Sequence, residues 1–374
     1  MKRANSSASS ASPDVIEAIG NALLVPVREV EPLGGRLRVE AGAVLASTLE
    51  SDRWALKLLR RAWAGVGVDV HIQPTGEQPL MQVRRDRSLT EQDQYRLSIT
   101  EQGIELTSAT DAGAFYGIQT LRQLVRSLGA DLPCCVINDH ADFARRIVYH
   151  DCSRGKVPTV ESVKQMIEWF ASLKYNELQL YIENVFTFAK HPQIGRGYSP
   201  FTPEDIRVMQ AHARRYHIDF VPSLTSFGHF EKILMLPEYQ HLGELPGCRG
   251  AVGGTTLCPI DPGSIQLVSE MYDDFLPLFD AEDFNACGDE PWELGEGRSK
   301  SVVEQRGGAE WLYVDFINKL HELCGRYGKR LNLWGDIVLT HPQVLSKLPR
   351  DIAVLNWDYC IRGRRWHRTP ELIE

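Results

Sequence analysis

Two patterns of apolar and polar positions divide the chain. Up to about residue 140 the pattern is mixed. Residues 36–42 (RLRVEAG) and 95–109 (YRLSITEQGIELTSA) alternate as half-buried strands do, the second with Gly103 at a hairpin turn. Residues 51–67 and 111–129 carry apolar side chains at three- and four-residue spacing, and each stretch closes on a glycine where a helix would stop. This predicts a small α+β domain over 15–140. Residues 1–14, rich in serine and alanine and without the apolar run of a secretory signal, read as a disordered tail.

From 141 to 374 the pattern becomes strict strand and helix alternation. Strands are predicted at Arg146–Cys152, Glu177–Glu183, Ile218–Leu224, Asp283–Cys287, Arg330–Trp334 and Ile352–Trp357, with helical patterns over 160–173, 203–216, 264–279, 309–327 and 342–348. Such alternation implies a parallel sheet covered by helices. Several strands run apolar and then meet polar groups at their C-terminal ends: VYHDCSR, LYIEN, PSLTSFGH, ACGDE, LWGD and NWDY. A site spread over many strand ends fits a (β/α)8-type TIM barrel better than an open sheet, which concentrates its site at one switch point. About six β/α units are legible, so the barrel reads as incomplete.

Composition narrows the partners. With 374 residues, 43% hydrophobic, and a net charge of −8, the chain can build a sizeable core and offers no basic stripe to nucleic acid. No segment has the length of a membrane span. The eight cysteines show neither zinc spacing nor a small disulfide framework, and free thiols in the cytoplasm are the expectation.

The chemistry concentrates in FNACGDEPWELGEGRSK, where Asp289 and Glu290 stand side by side after a strand. An isolated Asp-Glu pair is usually a solvated turn. Here it joins other polar strand ends and three tryptophans, Trp292, Trp334 and Trp357, whose ring faces can stack on a sugar. Adjacent carboxyls can divide labour, one ionised and one holding a proton, as glycoside hydrolysis requires. Arg146, opening the first strand, is a candidate fork for sugar hydroxyls, and Glu183 and His229 are candidates to orient the acids. The eleven histidines are scattered without metal-ligand spacing, and neither a Gly-x-Ser-x-Gly elbow nor a phosphate-binding Walker loop occurs. No cofactor or metal is expected.

The segment 284–299 resembles the Gly-Asp-Glu segment of family 20 glycoside hydrolases, the β-N-acetylhexosaminidases. YRLSITEQGIELTSATDAGAFYGIQTLRQL, FARRIVYHDCSRGKVPT, FVPSLTSFGH, TTLCPIDP and KRLNLWGDI follow in that family's order. The resemblance implies substrate-assisted retaining hydrolysis of terminal β-linked N-acetylhexosamine, in which the substrate's acetamido oxygen attacks the anomeric carbon to give an oxazolinium-like intermediate. It implies that Asp289 orients the acetamido group and that Glu290 is the general acid. It also implies that Arg146 holds hydroxyls of the terminal sugar, that Trp334 encloses the acetamido methyl, and that Glu183 and His229 support them; Trp357, by its place at the last strand end, is a further candidate to contact the sugar.

The chain departs from the family pattern at Asn285, Ala286 and Cys287, at Thr225, and at Ile147, as a divergent branch would. The last barrel units of the resemblance are missing, which leaves two alternatives beside a working hydrolase. The chain is either an impaired sugar-binding protein or fragment, or it completes itself with a second copy in a homo-oligomer.

Overall fold

The computed structural model describes residues 13–247 and 253–357. The stretch 1–12 of the expected tail, part of the glycine loop at 250–256, and the end from 358 lie outside the described residues. The chain divides into two compact units, one of residues up to Arg146 with Ile167–Asn176 and Arg215–His217, the other of the remainder.

In the first unit seven strands form one mixed sheet. They are β1 (Glu29–Arg38), β2 (Val44–Ala46), β3 (His71–Gln73), β4 (Met81–Arg85), β5 (Tyr95–Thr100), β6 (Gly103–Ser108) and β7 (Asp131–Asp139), in the order β1-β7-β5-β6-β4-β2-β3. The expected hairpin is present, β5 pairing antiparallel with β6 from Tyr95–Ser108 to Thr100–Gly103. The helix Asp111–Leu128 is capped by Thr110, whose hydroxyl accepts the Gly113 N–H at 3.0 Å. The helix Pro13–Ala22 overlaps the last residues of the expected tail, because Ile19 and Ala22, three apart on one face, are buried.

In the second unit the strands β8 (Ile147–Asp151), β9 (Glu177–Ile182), β10 (Asp219–Leu224), β11 (Asp283–Asn285), β12 (Arg330–Trp334) and β13 (Ala353–Leu355) form one six-stranded sheet in unbroken chain order. All five pairings are parallel. Neighbouring strands following one another through helices make six staves of a TIM-type barrel among the described residues. Every residue of β9 is buried, as a sheet covered on both faces demands. The helix Glu310–Gly325 turns Leu312, Tyr313, Phe316, Ile317 and Leu320 inward at three- and four-residue spacing.

The shortness of β11 has a local cause. Cys287 (φ 63°) and Gly288 (φ 75°) take left-handed backbone and end the extended run, so the acids that follow sit on a turn at the strand's C-terminal end.

Candidate active site

The six strands deliver side chains to one pocket of about 270 Å³ at their C-terminal ends. Its walls are Tyr149, Asp151, Arg154, Tyr181, His229, Asp289, Glu290, Trp334 and Trp357. That volume lies near the small end of ligand sites, matched to one ring with its substituents rather than a long chain. The Trp334 ring meets Tyr149 edge-on at 5.1 Å between centroids, and the Tyr149 hydroxyl is anchored 3.0 Å from Ser223 Oγ. The aromatic wall is therefore held from beneath.

His229 faces both acids: its Nε2 lies 3.2 Å from Asp289 Oδ2 and 3.5 Å from Glu290 Oε2. Like Glu290 (φ 49°), His229 (φ 58°) has left-handed backbone, uncommon for residues with side chains and characteristic of functional turns. Burial lowers the proton affinity of His229, but the hydrogen bond and charge of Asp289, with Glu183 behind, raise it above the usual imidazole value. The Thr225 hydroxyl donates to the Gly228 carbonyl at 2.6 Å, fixing the turn that carries His229.

Arg154 is the pocket's cation. It pairs with the fully buried Glu183 at 2.7 Å and with Asp151 at 3.3 Å, and its guanidinium lies 5.0 Å from the Tyr181 ring centre. Burial pushes Glu183 up, against the opposing charge of Arg154. Lys232 adds a second cation 3.4 Å from Glu183, and its ammonium also donates to the Ser153 carbonyl. Ligand atoms of Glu183, His229 and Glu231 lie within 4.8 Å of one another. Arg154 and Lys232 already neutralise Glu183, so the cluster is built as an ion-pair network rather than as a cation cage.

Of the residues expected from sequence, Asp289, Glu290, His229, Trp334 and Trp357 come together in this pocket. Glu183 does not line it and orients Arg154 instead of the acids. Arg146 is a correction. It precedes β8 at the strand's N-terminal end, five residues and so about 16 Å of extended chain from the pocket end. There its guanidinium is committed to Asp93 at 2.7 Å and to the Lys174 and Phe143 carbonyls. Arg154, three residues beyond the C-terminal end of β8, stands where the hydroxyl-binding arginine was expected. The sequence carries the signal, since the polar strand end VYHDCSR closes on Arg154.

The first unit holds a slightly larger hollow, about 330 Å³, lined by Arg28, Asp93, Asp139, Arg146 and Lys174 among others. Its charges are matched internally, Lys174 with Asp139 and Arg146 with Asp93, both at 2.7 Å. The chemistry therefore belongs to the pocket at the strand ends, where two acids share one histidine.

Comparison with known proteins agrees with this architecture. Residues 24–140 match glycosyl hydrolase family 20, domain 2, and residues 143–366 match the glycosyl hydrolase family 20 catalytic domain. A lacto-N-biosidase of Bifidobacterium bifidum is 23% identical over 273 residues, 70% of this chain and 24% of that protein. A beta-hexosaminidase of Akkermansia muciniphila is 25% identical over 287 residues, 67% of this chain and 57% of that protein. The chain thus spans between a quarter and three fifths of the length of these two curated relatives. The structure of the family 20 exo β-N-acetylglucosaminidase of Vibrio harveyi with N-acetylglucosamine superposes with a TM-score of 0.76 at 20% identity, covering 91% of this chain and 58% of that one. The match spans both units and includes the strand ends that carry the acids, and the chain belongs to glycosyl hydrolase family 20.

Proposed function

We propose that the chain removes terminal β-linked N-acetylhexosamine from glycans or glycoconjugates by substrate-assisted retaining hydrolysis. Glu290 protonates the leaving oxygen and then activates water; Asp289 steers the acetamido group whose oxygen attacks the anomeric carbon. The observation that carries this reading is the pair Asp289 and Glu290 at one strand end, both within 3.5 Å of His229 and walled by Trp334 and Trp357. Only one of the two acids moves the proton, which is why they can be neighbours. Arg154, rigidly backed by Glu183, supplies a planar fork for ring hydroxyls.

We further infer a cytoplasmic location, supported by six buried free thiols among the described residues. Among those residues no helix is long and apolar enough to cross a membrane.

The test is hydrolysis of aryl β-N-acetylglucosaminides and β-N-acetylgalactosaminides by the wild type, Asp289→Ala and Glu290→Gln. Glu290→Gln should lose far more rate on poor leaving groups than on good ones, because only the former need the acid. Equal loss on both would remove Glu290 from that role. Binding of a thiazoline analogue of N-acetylglucosamine without turnover would instead identify a sugar-binding protein.

A further inference from the structure

Behind the acid pair stands a third carboxyl group that this reaction scheme does not use. Asp336 opens the short helix Asp336–Thr340 just after β12, and its Oδ2 accepts the backbone N–H of Glu290 at 3.0 Å. Its Oδ1 is buried without a hydrogen-bond partner among the described residues, as are Asp289 Oδ1 and the Tyr313 hydroxyl. Tyr313 projects from the helix Glu310–Gly325, its hydroxyl 3.4 Å from where a Cβ on Gly288 would stand. The titratable groups facing Asp336 are therefore Asp289 and Glu290 on the turn after β11, with His229 beyond them, and Tyr313 from the helix.

Keeping a carboxyl here is unfavourable. Burial first, then the charges of Asp289 and Glu290, push Asp336 up to about 6, against the stabilising N–H of Glu290. Against that cost stands what Asp336 does to the backbone. Glu290 has φ 49°, and its peptide groups are tied on both sides: its N–H to Asp336, and its carbonyl to the Trp292 N–H at 2.7 Å. A left-handed glutamate persists only when its surroundings over-determine it. The bond from Asp336 is charge-assisted and so among the stronger constraints available.

We propose that Asp336 is the positioning residue of the acid pair, locking the backbone of Glu290 so that its carboxyl is aimed at the leaving oxygen. What that carboxyl does rests on the hydrolase reading above; that Asp336 holds it does not.

The test compares wild type, Asp336→Ala, Asp336→Asn and Glu290→Gln, all checked for folding by thermal melting. Asp336→Ala should lower kcat on a poor leaving group roughly 10- to 100-fold with KM within about twofold, since misaiming a catalytic group costs rate rather than ground-state affinity. Asparagine keeps an acceptor and cannot ionise. Asp336→Asn should therefore regain most of kcat. A folded Asp336→Ala with unchanged kcat overturns the proposal, as does a folded asparagine variant no better than alanine. If alanine does not fold, Asp336→Val, which also lacks an acceptor, takes its place in the same comparison. A wild type without turnover would sink the hydrolase reading only. Hydrogen exchange of the Glu290 amide then decides this one: it should be protected in wild type and Asp336→Asn and exposed in Asp336→Ala, and equal protection in all three would overturn it.

Discussion

Gly228 and Asp289 touch through their backbones: a Cβ added at Gly228 would come within 2.3 Å of the Asp289 carbonyl oxygen. The turn that carries His229 can lie against the turn that carries the acids only because residue 228 has no side chain. Gly228→Ala should push the two turns apart, lowering stability by about 1–3 kcal/mol through overpacking and kcat by roughly 10- to 100-fold through displacement of His229. Melting and steady-state kinetics on aryl substrates check both. A variant indistinguishable from wild type would mean that the turns move freely.

The two arginines near β8 separate cleanly. Arg154→Lys keeps a charge near Glu183 but loses the planar fork, and kcat/KM should fall on the order of 100-fold, mostly through KM. Arg146→Ala should leave KM within about twofold and instead lower the melting temperature, because it strands Asp93, only 10% exposed. The reverse result would restore Arg146 to the sugar.

His229 makes stability depend on pH in a stated direction. Its folded-state proton affinity is raised above the ordinary value of 6.5, so its contact with Asp289 contributes stability that is fully present below pH 6.5 and is lost as pH rises through the raised value. Melting of His229→Gln against wild type should show a larger deficit near pH 5.5 than near pH 9. A deficit independent of pH would show that the imidazolium is not what Asp289 holds.

Asp336 carries the opposite sign. With a folded value of about 6 against an ordinary 3.8, its ionisation works against the fold, and the penalty is complete above pH 6 and vanishes below 3.8. Asp336→Asn should be more stable than wild type by roughly 1–3 kcal/mol at pH 8, the gain shrinking toward pH 4. A variant both faster and more stable than wild type would leave no reason for the carboxyl.

How much of this was legible follows from what sequence pattern encodes. The six parallel strands were readable because continuous apolar runs bounded by helical periodicity leave few alternatives, and each lies within two residues of its expected place. The mixed sheet of the first unit was less so: β2 and β3, three residues each, are too short to show a period, and the burial of the Cys134–Cys135 strand on both faces erased its alternation. Asp289 and Glu290 were recognisable as a motif, whereas Asp336 was not, because its role is a contact with a backbone amide 46 residues away. Arg146 was misplaced because an arginine beside a strand looks the same at either end, while only the C-terminal end meets the pocket.

The unbroken strand order has a consequence for how the protein comes into being. The pocket draws its walls, from Tyr149 through Trp357, from all six staves or the loops beyond them, so that no single β/α unit contains it. His229 and Asp289, 60 residues apart in sequence, meet only once β10 and β11 have paired. Contacts of such separation form late and are lost together. Catalysis would thus act as a check on assembly: a nascent or frayed sheet, however helical, has no pocket, and turnover measures the fraction of molecules whose sheet is whole.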